Sequence, residues 1–187
     1  MMKRIFDLVM AIFLALFLSP LILIIVLMVK LSSKGPVLYW SDRVGSNNSI
    51  FKMPKFRTMY IDAPEMATHL MEDSSLYLTS IGMFLRKLSL DELPQLYSVL
   101  KGDISFVGPR PALYNQDDLI GLRTNKGVDK IIPGITGWAQ INGRDELPIP
   151  VKVEFDEYYL RNRSLFFDLK ILMSTFIKVM KTENIAH

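Results

Sequence analysis

The sequence predicts an α+β fold, mainly helical, in a single membrane-embedded domain with an N-terminal kinked membrane helix, a small β-hairpin and interfacial amphipathic helices. Three observations predict it. Residues 8–29 are apolar throughout except for a central Ser19-Pro20 pair. Residues 37–40 and 50–58 read as short strands around the turn-rich stretch Gly45-Ser46-Asn47-Asn48-Ser49. Residues 164–181 set apolar side chains at helical spacing.

As a helix, the first run would be roughly 33 Å long, enough to cross a hydrocarbon core of about 30 Å. Lys3 and Arg4 precede it and Lys30 and Lys34 follow it, whereas a spanning helix concentrates its cations on one side. Pro20 has no N–H, so the carbonyl of Leu16 loses its helical partner in a medium without water. The Ser19 hydroxyl can reach back to Ala15 or Leu16 and repair part of that loss. A sharp kink at mid-depth is expected. A spanning kinked helix and a re-entrant one that returns to its own side both satisfy this segment. A cleaved signal peptide fits poorly, because the run is long and no small-residue cleavage site follows.

The 187 residues, half of them hydrophobic, bound one modest domain plus its membrane element. The division falls between residues 1–34 and 35–187. A net charge of +3 is too small to argue for nucleic acid but suits an anionic membrane surface. The chain has no cysteine, which excludes disulfides, thiolate metal sites and a cysteine nucleophile. Its two histidines, His69 and His187, leave only His69 for a Ser-His-Asp triad and make a multi-histidine zinc site untenable. No Walker-type loop or G-x-G-x-x-G is present.

Beyond the membrane element, Gly35-Pro36 breaks the chain, and Pro54 makes the second strand irregular or an edge. Residues 66–78 are weakly helical. Thr79 or Ser80 is expected to cap a short helix through Lys87, and Ser89 to begin an element running to about Leu100 and ended by Gly102. Residues 103–115 and 133–144 read as loops. In the tail, Leu165, Leu169, Leu172, Phe176 and Val179 form a stripe that Phe166, Met173, Ile177 and Met180 widen, opposite Asp168, Lys170, Lys178 and Lys181. Such a helix suits either a membrane interface or ordinary core packing.

Asp91-Glu92 is the most suggestive dipeptide. Ser89-x-x-Glu92 fits a capping box, and acids in a first helical turn suit the dipole, so a purely structural role accounts for the pair. Catalysis would need two carboxylates with different tasks, one attacking phosphorus and the other holding Mg²⁺. Arg110, flanked by Pro109 and Pro111, has a stiff backbone and a fork that suits phosphate, or a surface carboxylate. Lys55 and Arg57 alternate with apolar residues, which on a strand puts both cations on one face.

Together these pieces resemble the monotopic phosphoglycosyl transferases, the bacterial sugar transferase family. The resemblance rests on Lys3-Arg4-Ile5-Phe6-Asp7 leading into the run with Ser19-Pro20, then on several ordered motifs. These are Lys55-Phe56-Arg57-Thr58-Met59, Ser89-Leu90-Asp91-Glu92-Leu93-Pro94-Gln95, Leu100-Lys101-Gly102-Asp103, Val107-Gly108-Pro109-Arg110-Pro111 and Pro133-Gly134-Ile135-Thr136-Gly137-Trp138. Residues 164–172 continue the match. The resemblance implies a small, minimal form that begins just before a re-entrant segment, on the cytoplasmic face of the bacterial inner membrane. It implies that Asp91 attacks a UDP-sugar, releases UMP and passes the phosphosugar to a polyprenol phosphate such as undecaprenyl phosphate. Glu92 would hold Mg²⁺, Arg110 would grip phosphate, and Lys55 and Arg86 would assist. Membrane lipid and other glycan-assembly enzymes are the candidate partners. A membrane-anchored phosphohydrolase and a non-catalytic scaffold of a glycan-assembly complex are the competing readings.

Overall fold

The computed structural model describes residues 2–63, 74–143 and 147–181. Helices α1 (Met2–Phe17) and α2 (Ser19–Ser32) meet at a 63° bend. Its chemistry is the expected one: Ser19 Oγ donates to the Leu16 carbonyl at 2.8 Å, and Pro20 lies in the first turn of α2, where no N–H is required. Among the described residues no single helix is long and apolar enough to cross a membrane; the bent pair together has that length and composition. Val9, Phe13, Leu16, Phe17, Leu23, Leu27 and Leu31 are exposed along it, while Ala11, Ile25 and Val29 are buried.

The hairpin forms from β1 (Leu38–Val44) and β2 (Ile50–Phe56), antiparallel with Tyr39 opposite Lys55 and Trp40 opposite Pro54. In a two-stranded sheet each strand is an edge, which accommodates Pro54. Asn47 and Asn48 take positive φ in the connecting turn, a conformation that asparagine tolerates.

A second sheet occupies both segments predicted as loops. β3 (Ser105–Val107) and β4 (Gly134–Thr136) run parallel, with Ser105 opposite Gly134 and Val107 opposite Thr136. The glycines that signalled loops are there because two backbones touch. A Cβ on Gly134 would lie 2.1 Å from the Gly108 nitrogen.

The remaining helices are α3 (Ser80–Lys87), α4 (Gln95–Lys101), α5 (Asp117–Asn125), α6 (Trp138–Ile141), α7 (Ile149–Asn162) and α8 (Leu165–Lys181). Thr79 caps α3 by accepting from Gly82 N at 2.9 Å, and Gly102, at φ +100°, ends α4, both as predicted. Of the weakly helical stretch, 74–77 is a tight helical turn and 66–73 lies outside the described residues, as do His69 and Arg144. Helices α5 and α7 had no counterpart in the sequence reading. Their buried faces include Arg123 and Asp156, so no clean apolar stripe marks them.

The main core joins Ala11 of α1, Phe51 and Met53 of β2, Val99 of α4, Val107 of β3 and Ile171 of α8. A second cluster packs Ile25 and Val29 of α2 on Phe56 and Leu85. Asp168 was expected on the polar face of α8, but it is 2% exposed. It binds Lys3 Nζ at 2.6 Å and accepts from the Tyr159 hydroxyl at 2.7 Å. Arg4 donates to the carbonyls of Val99 and Leu100 at the end of α4, where a cation complements the helix dipole. The other face of α8 exposes Phe166, Met173, Phe176 and Ile177.

Candidate active site

The Asp91-Glu92 pair lies in a tight turn, Leu90–Glu92, between α3 and α4. Ser89 reverses the chain before it with φ +54°, ψ +22°, and its side chain makes no capping hydrogen bond. The expected capping box is therefore absent. A left-handed residue cannot present its hydroxyl as an N-cap in extended geometry does. The acids are carried on a turn rather than absorbed into a helix start, and Asp91 is buried there.

Around that turn the structure assembles five of the six polar residues singled out from sequence. Lys55, from the end of β2, places Nζ 2.6 Å from Glu92 Oε1, and Arg110 Nη2 lies 3.5 Å from the same oxygen. Arg86, in the last turn of α3, donates from Nε to Thr58 Oγ1 at 2.9 Å, and its charge acts on Asp91. Thr58 is fastened in turn to the start of α3: its carbonyl accepts from Thr79 N at 2.9 Å. Gly82 approaches Thr58 so closely that a Cβ would lie 1.9 Å from that carbonyl oxygen.

Arg57 is the sixth, and it is elsewhere. Strand β2 ends at Phe56, so the alternation that would have put Arg57 beside Lys55 no longer applies. Its guanidinium donates to the carbonyls of Ser33 and Lys34, each at 2.9 Å, and to Ser33 Oγ at 2.8 Å. Arg57 thus closes the C-terminus of α2, where carbonyls lack helical partners. Ser19 and Pro20 stay at the kink.

The two carboxylates are set apart electrically. Burial pushes the Asp91 carboxyl above its ordinary value; Lys55 opposes that shift, the Glu92 charge adds to it, and Arg86 opposes it. Burial also works against ionisation of Glu92, but Lys55 and Arg110 overcome it and hold that carboxyl well below the usual range. Burial lowers Arg86 from its ordinary value, with Asp91 opposing. Arg43 adds a further cation acting on Glu92, which the sequence reading missed. Its signal lay in the register. Arg43 pairs with Phe51 as Tyr39 pairs with Lys55, and this parity puts Arg43 on the face of Lys55.

The cations in and around the turn suit a group bearing several negative charges. No group of three or more His, Cys, Asp or Glu side chains gathers among the described residues. Adjacent carboxylates, one firmly ionised, do suit Mg²⁺, which is commonly held by one or two carboxylates with substrate phosphates and water.

Residues 1–182 match the bacterial sugar transferase family. The chain belongs to that family. This sugar transferase is 46% identical to the uncharacterized sugar transferase EpsL of Bacillus subtilis, over 98% of this chain and 90% of that protein. It is 40% identical to the undecaprenyl-phosphate glucose phosphotransferase of Komagataeibacter xylinus, over 97% of this chain and 36% of that protein. It is also 40% identical to the UDP-glucose:undecaprenyl-phosphate glucose-1-phosphate transferase of Escherichia coli, over 95% of this chain and 40% of that protein. The sugar transferase thus spans nearly all of the first relative and well under half of the other two.

Proposed function

We propose that this sugar transferase moves a sugar 1-phosphate from a UDP-sugar to undecaprenyl phosphate or a similar polyprenol phosphate, through a covalent intermediate on Asp91. One observation carries the reading. Adjacent carboxylates in one turn behave oppositely on ionisation: burial raises Asp91, while Lys55 at 2.6 Å and Arg110 at 3.5 Å hold Glu92 down. The names of the K. xylinus and E. coli relatives both carry undecaprenyl phosphate, and that of the E. coli relative also carries UDP-glucose, which supports these acceptor and donor classes.

In the first half-reaction an oxygen of ionised Asp91 attacks the phosphorus that bears the sugar. The bond from that phosphorus to the oxygen bridging to the uridine phosphate breaks, and UMP departs with the electron pair and the bridging oxygen. In the second, a phosphate oxygen of the lipid attacks the same phosphorus. The acyl-phosphate bond breaks, restoring the Asp91 carboxylate and yielding a polyprenyl-diphosphate sugar. A carboxylate nucleophile needs no base to activate it, in keeping with the scarcity of histidine. Arg110 and Lys55 hold phosphate oxygens as charge shifts during transfer, and Arg86 restrains the ionised Asp91. Glu92 would hold Mg²⁺, which would neutralise diphosphate charge when bound.

The site must serve one soluble and one bilayer-confined substrate. In our reading residues 1–34 form a re-entrant anchor and residues 35–187 a catalytic domain on the cytoplasmic face of the inner membrane. Both ends of the bent pair are tied to the same folded body. Lys3 and Arg4 bind α8 and α4, and Ser33 binds Arg57. That arrangement supports a segment that enters and leaves on one side.

The test is UMP release from a panel of UDP-sugars with Mg²⁺ and no lipid, for wild type and Asp91→Asn. A burst near one UMP per enzyme, lost in Asp91→Asn and converted to turnover by undecaprenyl phosphate, is the expected result. Steady release without lipid would instead indicate a phosphohydrolase. Silence with every UDP-sugar and lipid would favour a scaffold.

A further inference from the structure

Arg110 owes its place to a run of backbone contacts, each made by a different part of the fold. The Pro109 carbonyl accepts from Gly134 N of β4 at 2.9 Å, and the Ala112 carbonyl from Val44 N of β1 at 2.9 Å. Between them, the Pro111 carbonyl accepts from Arg43 Nη1 at 3.2 Å, and the Arg110 carbonyl from Arg123 Nη1 at 2.8 Å. Arg123 is buried in the last turn of α5. Its remaining donors, Nε and Nη2, both bind Asp156 Oδ2, at 2.9 and 2.6 Å, and Asp156 is buried in the middle of α7.

This geometry does more than pair two charges. A buried ion pair is often no more stabilising than well-packed apolar residues in its place, so stability alone does not account for it. The planar fork uses two edges at once, one on a carboxylate and one on the carbonyl of the residue that reaches Glu92. A lysine ammonium is a single point on a flexible stem and cannot reproduce that double span. The flanking prolines restrict the Arg110 backbone, so fixing its carbonyl also fixes where its side chain begins.

We propose that Arg123, clamped by Asp156, is a positioning residue that sets the aim of the Arg110 guanidinium at the phosphate site. The proposal rests on the reading of Arg110 as the phosphate-gripping residue. It makes α5 and α7, which carry none of Lys55, Arg86 and Arg110, the support for the last of these. Through it, a substitution remote from the carboxylates acts on donor binding.

The test is a double-mutant cycle on the UMP burst, with Arg110→Ala, Arg123→Lys and their combination, each first checked for a cooperative melt. Alone, Arg123→Lys is expected to raise the UDP-sugar concentration for half-maximal burst about tenfold, and in the Arg110→Ala background by less than about twofold, since coupled residues are not additive. Asp156→Asn enters the same link from the other side and is expected to show the same coupling; it carries the test if Arg123→Lys does not fold. If Arg110→Ala is impaired and the second substitution multiplies that defect in full, Arg123 acts on something other than Arg110 and the inference is overturned. If Arg110→Ala binds donor normally, the phosphate-gripping reading fails first, and the positioning role fails with it.

Discussion

Asp91 and Glu92 are neighbours in sequence with opposed titration behaviour, and both consequences can be measured. The Asp91 carboxyl, raised above its ordinary 3.8, keeps its proton to higher pH in the folded chain than in the unfolded one. Its ionisation therefore costs stability as pH rises from 3.8 through the raised value of the folded chain. Asp91→Asn is expected to abolish the UMP burst yet melt above wild type at neutral pH, with the advantage shrinking toward pH 4. Glu92 has the opposite sign. Its depressed value contributes stability above 4.5, which is lost as acid carries the protein down through that depressed value. Removing Lys55 takes away the largest influence holding Asp91 down. In Lys55→Met the acid limb of single-turnover UMP release should therefore move to higher pH. An unmoved limb would mean that Lys55 does not govern the nucleophile's ionisation. Sequence named Asp91, Glu92, Lys55, Arg86 and Arg110, but strand alternation misplaced Arg57, because alternation stops where the strand does.

At the scale of elements, the bent pair and the parallel strand pair carry the site. In this cysteine-free chain, Met2→Cys and Lys34→Cys place single thiols at exposed positions on either side of the pair. In sealed vesicles both are expected to label from the same side. Labelling from opposite sides would mean that the pair spans. The strand pair is tested by Gly134→Ala, whose methyl would meet the Gly108 backbone at 2.1 Å. Overpacking of that kind destabilises by about 1–3 kcal/mol. Because Gly134 N also holds the Pro109 carbonyl, the UMP burst should weaken along with the melt. The kink, the Thr79 cap and the Gly102 stop were legible because each depends on a residue and its near neighbours. The strands β3 and β4 were not. They pair across residues 107 to 134, and their glycines signal close approach as readily as a loop.

Across the whole molecule, polar ties join the bent helix pair to the rest of the fold. Asp168 collects Lys3 and the Tyr159 hydroxyl, while Asp7 accepts from Phe106 N at 3.3 Å beside them. Tyr159→Phe deletes the hydroxyl and leaves a buried carboxylate short of a donor. The expected destabilisation is about 1–3 kcal/mol, read as a lower melting temperature in detergent. Exposed apolar side chains on α1, α2 and α8 are expected to keep the chain in the membrane fraction through a high-salt wash and release it only in detergent. Release by salt alone would show that charge, not apolar contact, holds it there.

What the sequence determined by itself was whatever short-range chemistry dictates. Proline lacks an N–H, so residues 8–29 had to bend. Turn residues between two apolar runs had to make a hairpin, and the ordered motifs marked the family and its acidic pair. What only the tertiary structure decided was which polar side chains meet. Lys55 and Glu92 are 37 positions apart, Arg123 and Asp156 33, and Lys3 and Asp168 165. No local spacing encodes such meetings. Burial removes the water that would otherwise satisfy these groups, so each must find a partner in the packed chain. The meeting of β2 with the Asp91-Glu92 turn, of α5 with α7, and of α1 with α8 supplied those partners.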